Sequence, residues 1–311
     1  MEQSCITKKE VRRNIRGVGL SSLIYAAITF LFVEILYHLK YVFFTEMDTN
    51  AYIDMLNSSG VPMIILVSIG ILFFFLFFHK RGIHKEIFVT ENKMSFRNLG
   101  RTLALYSIVT FTGGLLAKIV EFLFSLVGYT TMDISPVATG QVTTFSMILY
   151  ACLIGPIAEE LIWRGFLLRT LQRYGKTTAI VITSLLFGLM HGNIPQAISA
   201  VFFGLLLSAV ATNFSIKWSI ALHIVHNVYV CVMQMFMAKE SLIPTMLVGY
   251  AITAGIVFGI ITLIRKRKTI LGWLRSNLCE KPQMRWILFS VWTILIVAYY
   301  IFEIVRTVSK I

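Results

Sequence analysis

The chain has 311 residues and a net charge of +13, with 57% hydrophobic and only 14% charged residues. Soluble domains carry about 25% charged residues, so this composition excludes an ordinary soluble protein. The lysines and arginines lie between long apolar runs, which indicates membrane topology rather than a nucleic-acid partner. We therefore predict an all-α, polytopic helical membrane protein, with residues 1–311 forming a single membrane domain in the lipid bilayer.

Nine apolar runs approach the length of about 20 residues that an α-helix needs to cross a bilayer. The first run is too long for a cleaved signal peptide, and no small-residue cleavage site follows it. We therefore expect about nine transmembrane helices. In chain order they cover residues 17–38, 60–79, 102–127, 143–168, 177–191, 195–213, 218–238, 243–264 and 285–305.

The basic residues between these runs are distributed unevenly. Alternate segments carry 22 of the 28 lysines and arginines, namely residues 8–16, 80–101, 169–176, 217 and 265–285. The opposite set carries four, Lys40, Lys239, Arg306 and Lys310, and Lys118 and Arg164 lie inside apolar runs. Because short cytoplasmic loops are enriched in basic residues, we predict a multi-pass protein of the cell membrane with a cytoplasmic N-terminus and an external C-terminus.

Two adjacent carboxylates, Glu159 and Glu160, lie deep in the fourth apolar run. Ionisable residues at membrane depth are costly and need either a partner or a function. Glu160 and Arg164 are spaced i,i+4 with the acid first, which predicts a structural ion pair. Glu159 points about 100° away and has no partner on its own helix. From this helix alone, a general acid or base and a residue that pairs with another helix are equally good interpretations of Glu159.

Histidines in the next runs favour the chemical interpretation. Glu159 and His191 are each 16 residues from Gly175, so an antiparallel hairpin about that glycine brings them to one level. In the seventh run, His223 and Asn227 are spaced i,i+4 and share a helix face, and both can donate hydrogen bonds. A carboxylate, a partner histidine and two donors are the groups that water attack on an amide requires.

Other polar residues in the apolar runs are better explained by structure than by chemistry. Lys118 and Glu121 are spaced i,i+3 and are predicted to pair. His226 is more typical of packing or hydrogen bonding than of catalysis. The cysteines show neither a metal-binding spacing nor a disulfide framework, and the apolar neighbours of Cys152 argue against a thiol mechanism. The four cysteines are Cys5, Cys152, Cys231 and Cys279.

Three motifs together resemble a known family. Glu159-Glu160-x-x-x-Arg164, then Phe187-x-x-x-His191, then His223-x-x-x-Asn227 are similar to the signature of the CAAX prenyl protease type II family. Its bacterial branch is the CPBP, or Abi, group of intramembrane proteases. Each motif alone is weak, but the three in this order inside a polytopic protein are fairly specific. The resemblance predicts a catalytic core over residues 142–235.

The resemblance implies a CAAX-type membrane endopeptidase, with its cavity opening toward the cytoplasm or lipid. Glu159 and His191 would activate water, His223 and Asn227 would form the oxyanion hole, and Glu160 with Arg164 would be structural. The substrate would be a membrane-associated peptide or protein. The family is often labelled metalloprotease, but the sequence has no HExxH motif and no recognisable zinc spacing. We leave the metal open, with zinc as one alternative, and favour a direct glutamate mechanism.

Two other functions remain open from the sequence. The chain could be a non-catalytic membrane partner that binds and regulates another membrane protein with the same fold. A transporter is less consistent with the sequence, because transporters commonly show paired interrupted helices in two matching halves, and no such repeat is visible. Intact motifs do not separate a protease from a non-catalytic partner.

Overall fold

The computed structural model describes residues 7–131, 144–238 and 242–311, and these residues are almost entirely helical. A two-stranded antiparallel pair joins β1 (Tyr129–Thr130) to β2 (Ser309–Lys310). The predicted all-α, polytopic membrane fold is therefore confirmed. The eleven helices of the described residues are α1 (Lys8–Phe43), α2 (Thr49–Ser58), α3 (Val61–His79), α4 (Phe96–Ser125), α5 (Phe145–Tyr174), α6 (Lys176–Leu189), α7 (Ile194–Asn213), α8 (Ile216–Ala238), α9 (Leu242–Ser276), α10 (Lys281–Leu288) and α11 (Val291–Val305).

Within the described residues, seven helices are long and apolar enough to cross a membrane, against the nine that we predicted. An eighth is gained if α10 and α11, which are bent by 50°, form one span. The remaining difference is α6, whose 14 residues extend only about 21 Å at 1.5 Å per residue. Residue 143, at the start of the fourth predicted run, and Lys239 and Cys5 lie outside the described residues.

The end of α6 corrects the predicted position of His191. The fifth apolar run was expected to stay helical through residue 191, but the helix ends at Leu189. Gly192 has a φ of +70°, in the left-handed region that terminates helices and favours glycine. Asn193 then caps α7 by accepting a hydrogen bond from the Gln196 backbone N–H. His191 therefore lies in the turn between α6 and α7, rather than on a helix.

Four of the basic segments meet at one end of the helix bundle, which we call the basic end. The Asn14 side chain donates to the Tyr174 hydroxyl at 2.7 Å. The loop after α3 joins them through Glu91, which pairs with Lys176 at 3.7 Å. The segment after α9 joins through the Asn277 carbonyl, which accepts from the backbone N–H of Thr177. These segments were predicted to lie on one side of the membrane, and in the structure they contact one another at one end of the bundle.

The opposite end of the bundle, which we call the far end, contains the loop before α3 and the C-terminus. The Gly60 backbone N–H donates to the Ser146 hydroxyl at 3.1 Å, and Ile311 donates to the Gly128 carbonyl. Helix α1 thus begins at the basic end, and helix α11 ends at the far end. Which end faces the cytoplasm remains a prediction.

The expected pairing of Lys118 with Glu121 is wrong. Among the ion pairs of the described residues, none joins these two side chains. Glu121 instead accepts hydrogen bonds from the Thr130 hydroxyl at 2.7 Å and from the backbone N–H and hydroxyl of Thr131. These donors come from β1 and the residue that follows it, and three hydrogen bonds satisfy the carboxylate better than one flexible lysine does.

Helix α5 holds the two adjacent glutamates and is not a regular α-helix. Residues 150–154 and 161–168 form π-helical turns on either side of the α-helical segment Gly155–Glu160. Such wide turns are rare in proteins as a whole, but those that occur are often at functional sites. The half of α5 nearer the basic end is the core of the bundle, with Phe166, Leu167 and Leu168 all almost fully buried. The glutamates lie where this packed half begins.

Candidate active site

A cavity of about 580 Å³ lies beside the middle of α5. It is lined by side chains from α4, α5, α6, α7 and α8 and by the turn between α6 and α7. Cavities of this size are typical of binding sites for small ligands. The cavity brings together the four residues that the sequence proposed for catalysis: Glu159, His191, His223 and Asn227.

Glu160 lies behind the cavity in a fully buried polar cluster. Its carboxylate contacts the Arg164 guanidinium at 2.7 Å, and both side chains have no exposed surface. The Ser219 hydroxyl donates to the second carboxylate oxygen, and His223 Nδ1 donates to the first at 2.9 Å. A buried charge needs such complete pairing, because stranding one partner costs several kcal/mol. Glu160 is therefore bound to three side chains, of which only Arg164 lies on its own helix.

Glu159 has a different environment from its neighbour. A quarter of its side chain is exposed, and it lines the cavity. Its carboxylate lies 3.8 Å from His223 Nε2, a distance beyond direct hydrogen bonding. His223 consequently lies between the two glutamates, with Nδ1 toward Glu160 and Nε2 toward Glu159. Of the two carboxylates, Glu159 is the one that a substrate or a water molecule in the cavity can reach.

The turn after α6 fixes the orientation of His191. Its Nδ1 lies 2.8 Å from the Phe187 carbonyl oxygen, which can only accept a hydrogen bond. Nδ1 therefore carries the proton, and Nε2 of the neutral ring is left as an acceptor. The Phe187 ring packs edge-on against His191 and also lies 4.2 Å from the Arg164 guanidinium. Phe187 thus connects the buried ion pair to His191.

Asn227 supplies a hydrogen-bond donor on the part of α8 that lines the cavity. Its side-chain nitrogen donates to the Ala151 carbonyl at 2.7 Å, within the first π-helical turn of α5. An amide nitrogen has two protons, so one remains for a group in the cavity. The contact holds α8 against α5 about two helical turns before Glu159.

His226 and two cysteines complete the wall without joining the catalytic group. His226 Nδ1 is hydrogen-bonded to the Tyr106 hydroxyl at 3.0 Å, and its ring packs at a tilt against Phe203, with ring centroids 4.2 Å apart. The thiols of Cys152 and Cys231 lie 3.3 Å apart and contact each other. This proximity was not visible in their spacing, since 79 residues separate them. Cys152, Cys231 and Cys279 are free cysteines.

The site residues do not fit a zinc centre of the usual kind. Within the described ranges, no three histidine, cysteine, aspartate or glutamate side chains group closely enough to hold a metal ion. Structural and catalytic zinc sites use at least three protein ligands.

Several features of the site were missed by sequence reasoning. The first is the link between Glu160 and His223, which depends on the packing of α8 against α5. The second is Ser219, which was not considered although it lies i,i+4 before His223 and so shares its face. The sequence did contain a signal for Ser219, because polar residues spaced four apart on one apolar helix share a face. Gly204 also contributes, because its carbonyl accepts from Arg164 and a side chain there would meet Phe187 and Arg164.

The fold and the cavity define a class of protein, a polytopic helical membrane protein with a polar site inside its helix bundle. Comparison with protein families makes this more specific. Residues 141–229 match the family model described as Rce1-like, Type II CAAX prenyl endopeptidase Rce1-like. This family is a protease family, and the match covers less than a third of the chain. No curated protein and no solved structure matches the chain.

Proposed function

We propose that this protein is an intramembrane endopeptidase that hydrolyses a peptide bond in a membrane-associated peptide or protein. The observation that carries the proposal is that Glu159, His191, His223 and Asn227 all line one cavity. These residues come from three separate motifs, and the match to a protease family covers all of them. A non-catalytic partner would not need an accessible carboxylate and a histidine acceptor in the same cavity.

In the proposed reaction, a water molecule lies between Glu159 and Nε2 of His191. Both groups accept hydrogen bonds, so they orient the water and Glu159 takes its proton as general base. The water oxygen then bonds to the carbonyl carbon of the substrate, and the carbonyl oxygen becomes an oxyanion. Collapse breaks the carbon–nitrogen bond, and the proton held by Glu159 passes to the leaving nitrogen. The products are a carboxylic acid and an amine.

The oxyanion would be stabilised by donors from α8. Asn227 has a free amide proton and is the donor on which the proposal relies. His223 donates from Nε2 only when both ring nitrogens carry a proton, because Nδ1 already donates to Glu160. Glu160 and Arg164 are proposed to hold α5 and α8 in register without touching the substrate.

The proposal is tested by comparing membrane-fraction peptides and proteins from strains that carry the wild type and Glu159→Gln. We expect at least one membrane-associated substrate to accumulate uncleaved in the variant strain. The glutamine keeps the size of the side chain and removes the base. Glu303→Gln is a matched control, since Glu303 lies in α11 and pairs with Arg306 away from the cavity.

Abundance of each variant in the membrane is measured in the same samples. Uncleaved substrate in Glu159→Gln, but not in Glu303→Gln, at equal protein abundance supports the endopeptidase. Identical peptide profiles in the wild type and Glu159→Gln would contradict it. The regulatory-partner hypothesis would then be favoured.

A further inference from the structure

The cavity lies on one side of the catalytic residues along the bundle axis. On α5 its lining runs from Met147 to Glu159, the half nearer the far end. On α8 it runs from His223 to Gln234, away from the basic end at which that helix begins. Gln196 at the start of α7 also lines it. The empty space therefore extends from Glu159 toward the far end.

The protein is closed on the other side of the catalytic residues. The buried cluster of Glu160, Arg164 and Ser219 lies directly behind Glu159. Beyond it, Leu168 on α5 and Ile216 on α8 have no exposed surface. A peptide could reach Glu159 from the basic end only by breaking this packing and the buried ion pair, which is costly.

The end that the cavity faces is the end without the basic segments. Glu86 with Arg173 and Glu91 with Lys176 join two basic segments at the opposite end. Arg81 also lies at the basic end. Burial lowers the pKa of its guanidinium, and the positive charges of Arg13 and Arg16 lower that pKa further. By the positive-inside rule the basic end is cytoplasmic, so the far end faces the extracytoplasmic side.

We propose that substrate reaches Glu159 from the far end, and that the substrate is therefore a membrane-associated peptide presented on the extracytoplasmic side. This inference rests on the proposed function and on the orientation given by the basic segments. The family resemblance implies a cavity that opens toward the cytoplasm or lipid, and access from the far end differs from both. A peptide presented at the cytoplasmic surface would meet the closed half of the bundle.

Native cysteines allow a test that does not depend on proteolysis. Cys231 lines the cavity, whereas Cys279 lies at the basic end, where its backbone N–H donates to the Thr178 hydroxyl. Variants that retain only one of these thiols, with the other cysteines changed to serine, are treated with a cationic, membrane-impermeant methanethiosulfonate. Intact cells and inverted membrane vesicles are compared, after reduction and removal of the reductant.

We expect the variant with Cys231 alone to be labelled in intact cells, and the variant with Cys279 alone to be labelled only in inverted vesicles. Gln234→Cys, in a chain without other cysteines, provides a second cavity position that is exposed. Denatured samples show that every thiol is reactive. Labelling of both cavity positions only in inverted vesicles would overturn the proposal, and so would their failure to react from either side.

The side of labelling is independent of the catalytic test. Labelling from outside together with unchanged peptides in Glu159→Gln would refute the endopeptidase and leave an outward-facing cavity. Labelling from inside together with uncleaved substrate in Glu159→Gln would refute the direction of access and leave the endopeptidase. The two proposals can thus fail separately.

Discussion

The two halves of the bundle differ in packing, and the boundary between them passes between Glu159 and Glu160. In the half nearer the basic end, Glu160 is fully buried and contacts Arg164, Ser219 and His223. In the half nearer the far end, Glu159 is a quarter exposed and its contact with His223 is 3.8 Å long. Two residues of the same type, adjacent in sequence, therefore have opposite environments.

This difference shows how one helix can carry both a carboxylate that maintains the structure and a carboxylate that a ligand in the cavity can reach. A buried carboxylate is tolerated only where hydrogen bonds and an opposite charge compensate it. Once Arg164 and Ser219 satisfy Glu160, His223 is held in a fixed orientation beside Glu159. The closed half thus positions groups that act in the open half.

The largest effect is expected from removing the charge that compensates Glu160. Arg164→Ala should cost about 3–5 kcal/mol, because it strands a buried carboxylate. We expect little folded protein in the membrane, measured by abundance and by thermal unfolding in detergent. Arg306→Ala removes an exposed partner of Glu303 and should change neither quantity. Normal abundance of Arg164→Ala without activity would instead assign Arg164 to the reaction.

Loss of the oxyanion donor should weaken catalysis without abolishing it. Asn227→Ala is expected to lower the cleavage rate by about 10²–10³-fold, the usual cost of removing one such donor. The base and the histidine acceptor remain, so residual activity should be measurable. Asn213→Ala serves as the control, since that side chain donates to the Ala209 carbonyl away from the cavity. A wild-type rate in Asn227→Ala would remove the oxyanion role.

A smaller loss of stability is expected from changing Ser219. Its hydroxyl donates to Glu160, which also contacts Arg164 and His223. Ser219→Ala removes one hydrogen bond to a charged group, worth about 1.5–3 kcal/mol. The unfolding temperature should fall, but by less than in Arg164→Ala. Ser68→Ala, which removes an exposed hydroxyl that donates to the Ile64 carbonyl within α3, should leave it unchanged. An unaltered unfolding temperature in Ser219→Ala would mean that Glu160 does not depend on this contact.

Chelation should have the smallest effect on activity. The described site residues do not group as a zinc centre requires, and the proposed base acts on water directly. We expect cleavage by the purified protein to continue after prolonged treatment with a small chelator. Loss of activity that added zinc restores would contradict the direct glutamate mechanism.

The membrane fold could be predicted from the sequence because composition and run length determine it. The exact number of spans could not, since α6 is cut short by the left-handed conformation of Gly192. Gly192 and the Asn193 cap are signals that a helix stops, but the end of the helix was placed by the length of the apolar run instead. The same turn places His191 between two helices, where its Nδ1 reaches the Phe187 carbonyl.

The candidate site could be predicted only as far as spacing along single helices allows. The i,i+4 rule identifies residues that share a face, and it drew attention to Glu160 with Arg164 and to His223 with Asn227. It could not show that His223 reaches Glu160, because that contact joins α5 and α8. The i,i+3 rule failed for Lys118 and Glu121, since Thr131 donates to the carboxylate from the segment that follows α4. The catalytic roles remain predictions.

The central claim is that Glu159 acts as the base while Glu160 maintains the structure. The most direct test measures cleavage rate and unfolding temperature together, for the purified wild type, Glu159→Gln and Glu160→Gln, on a substrate found by the membrane comparison. We predict that Glu159→Gln loses at least about 10²–10⁴-fold in rate, as general-base removal does, while unfolding near the wild-type temperature. Glu160→Gln should unfold at a clearly lower temperature. Cleavage by Glu159→Gln at the wild-type rate would contradict the claim.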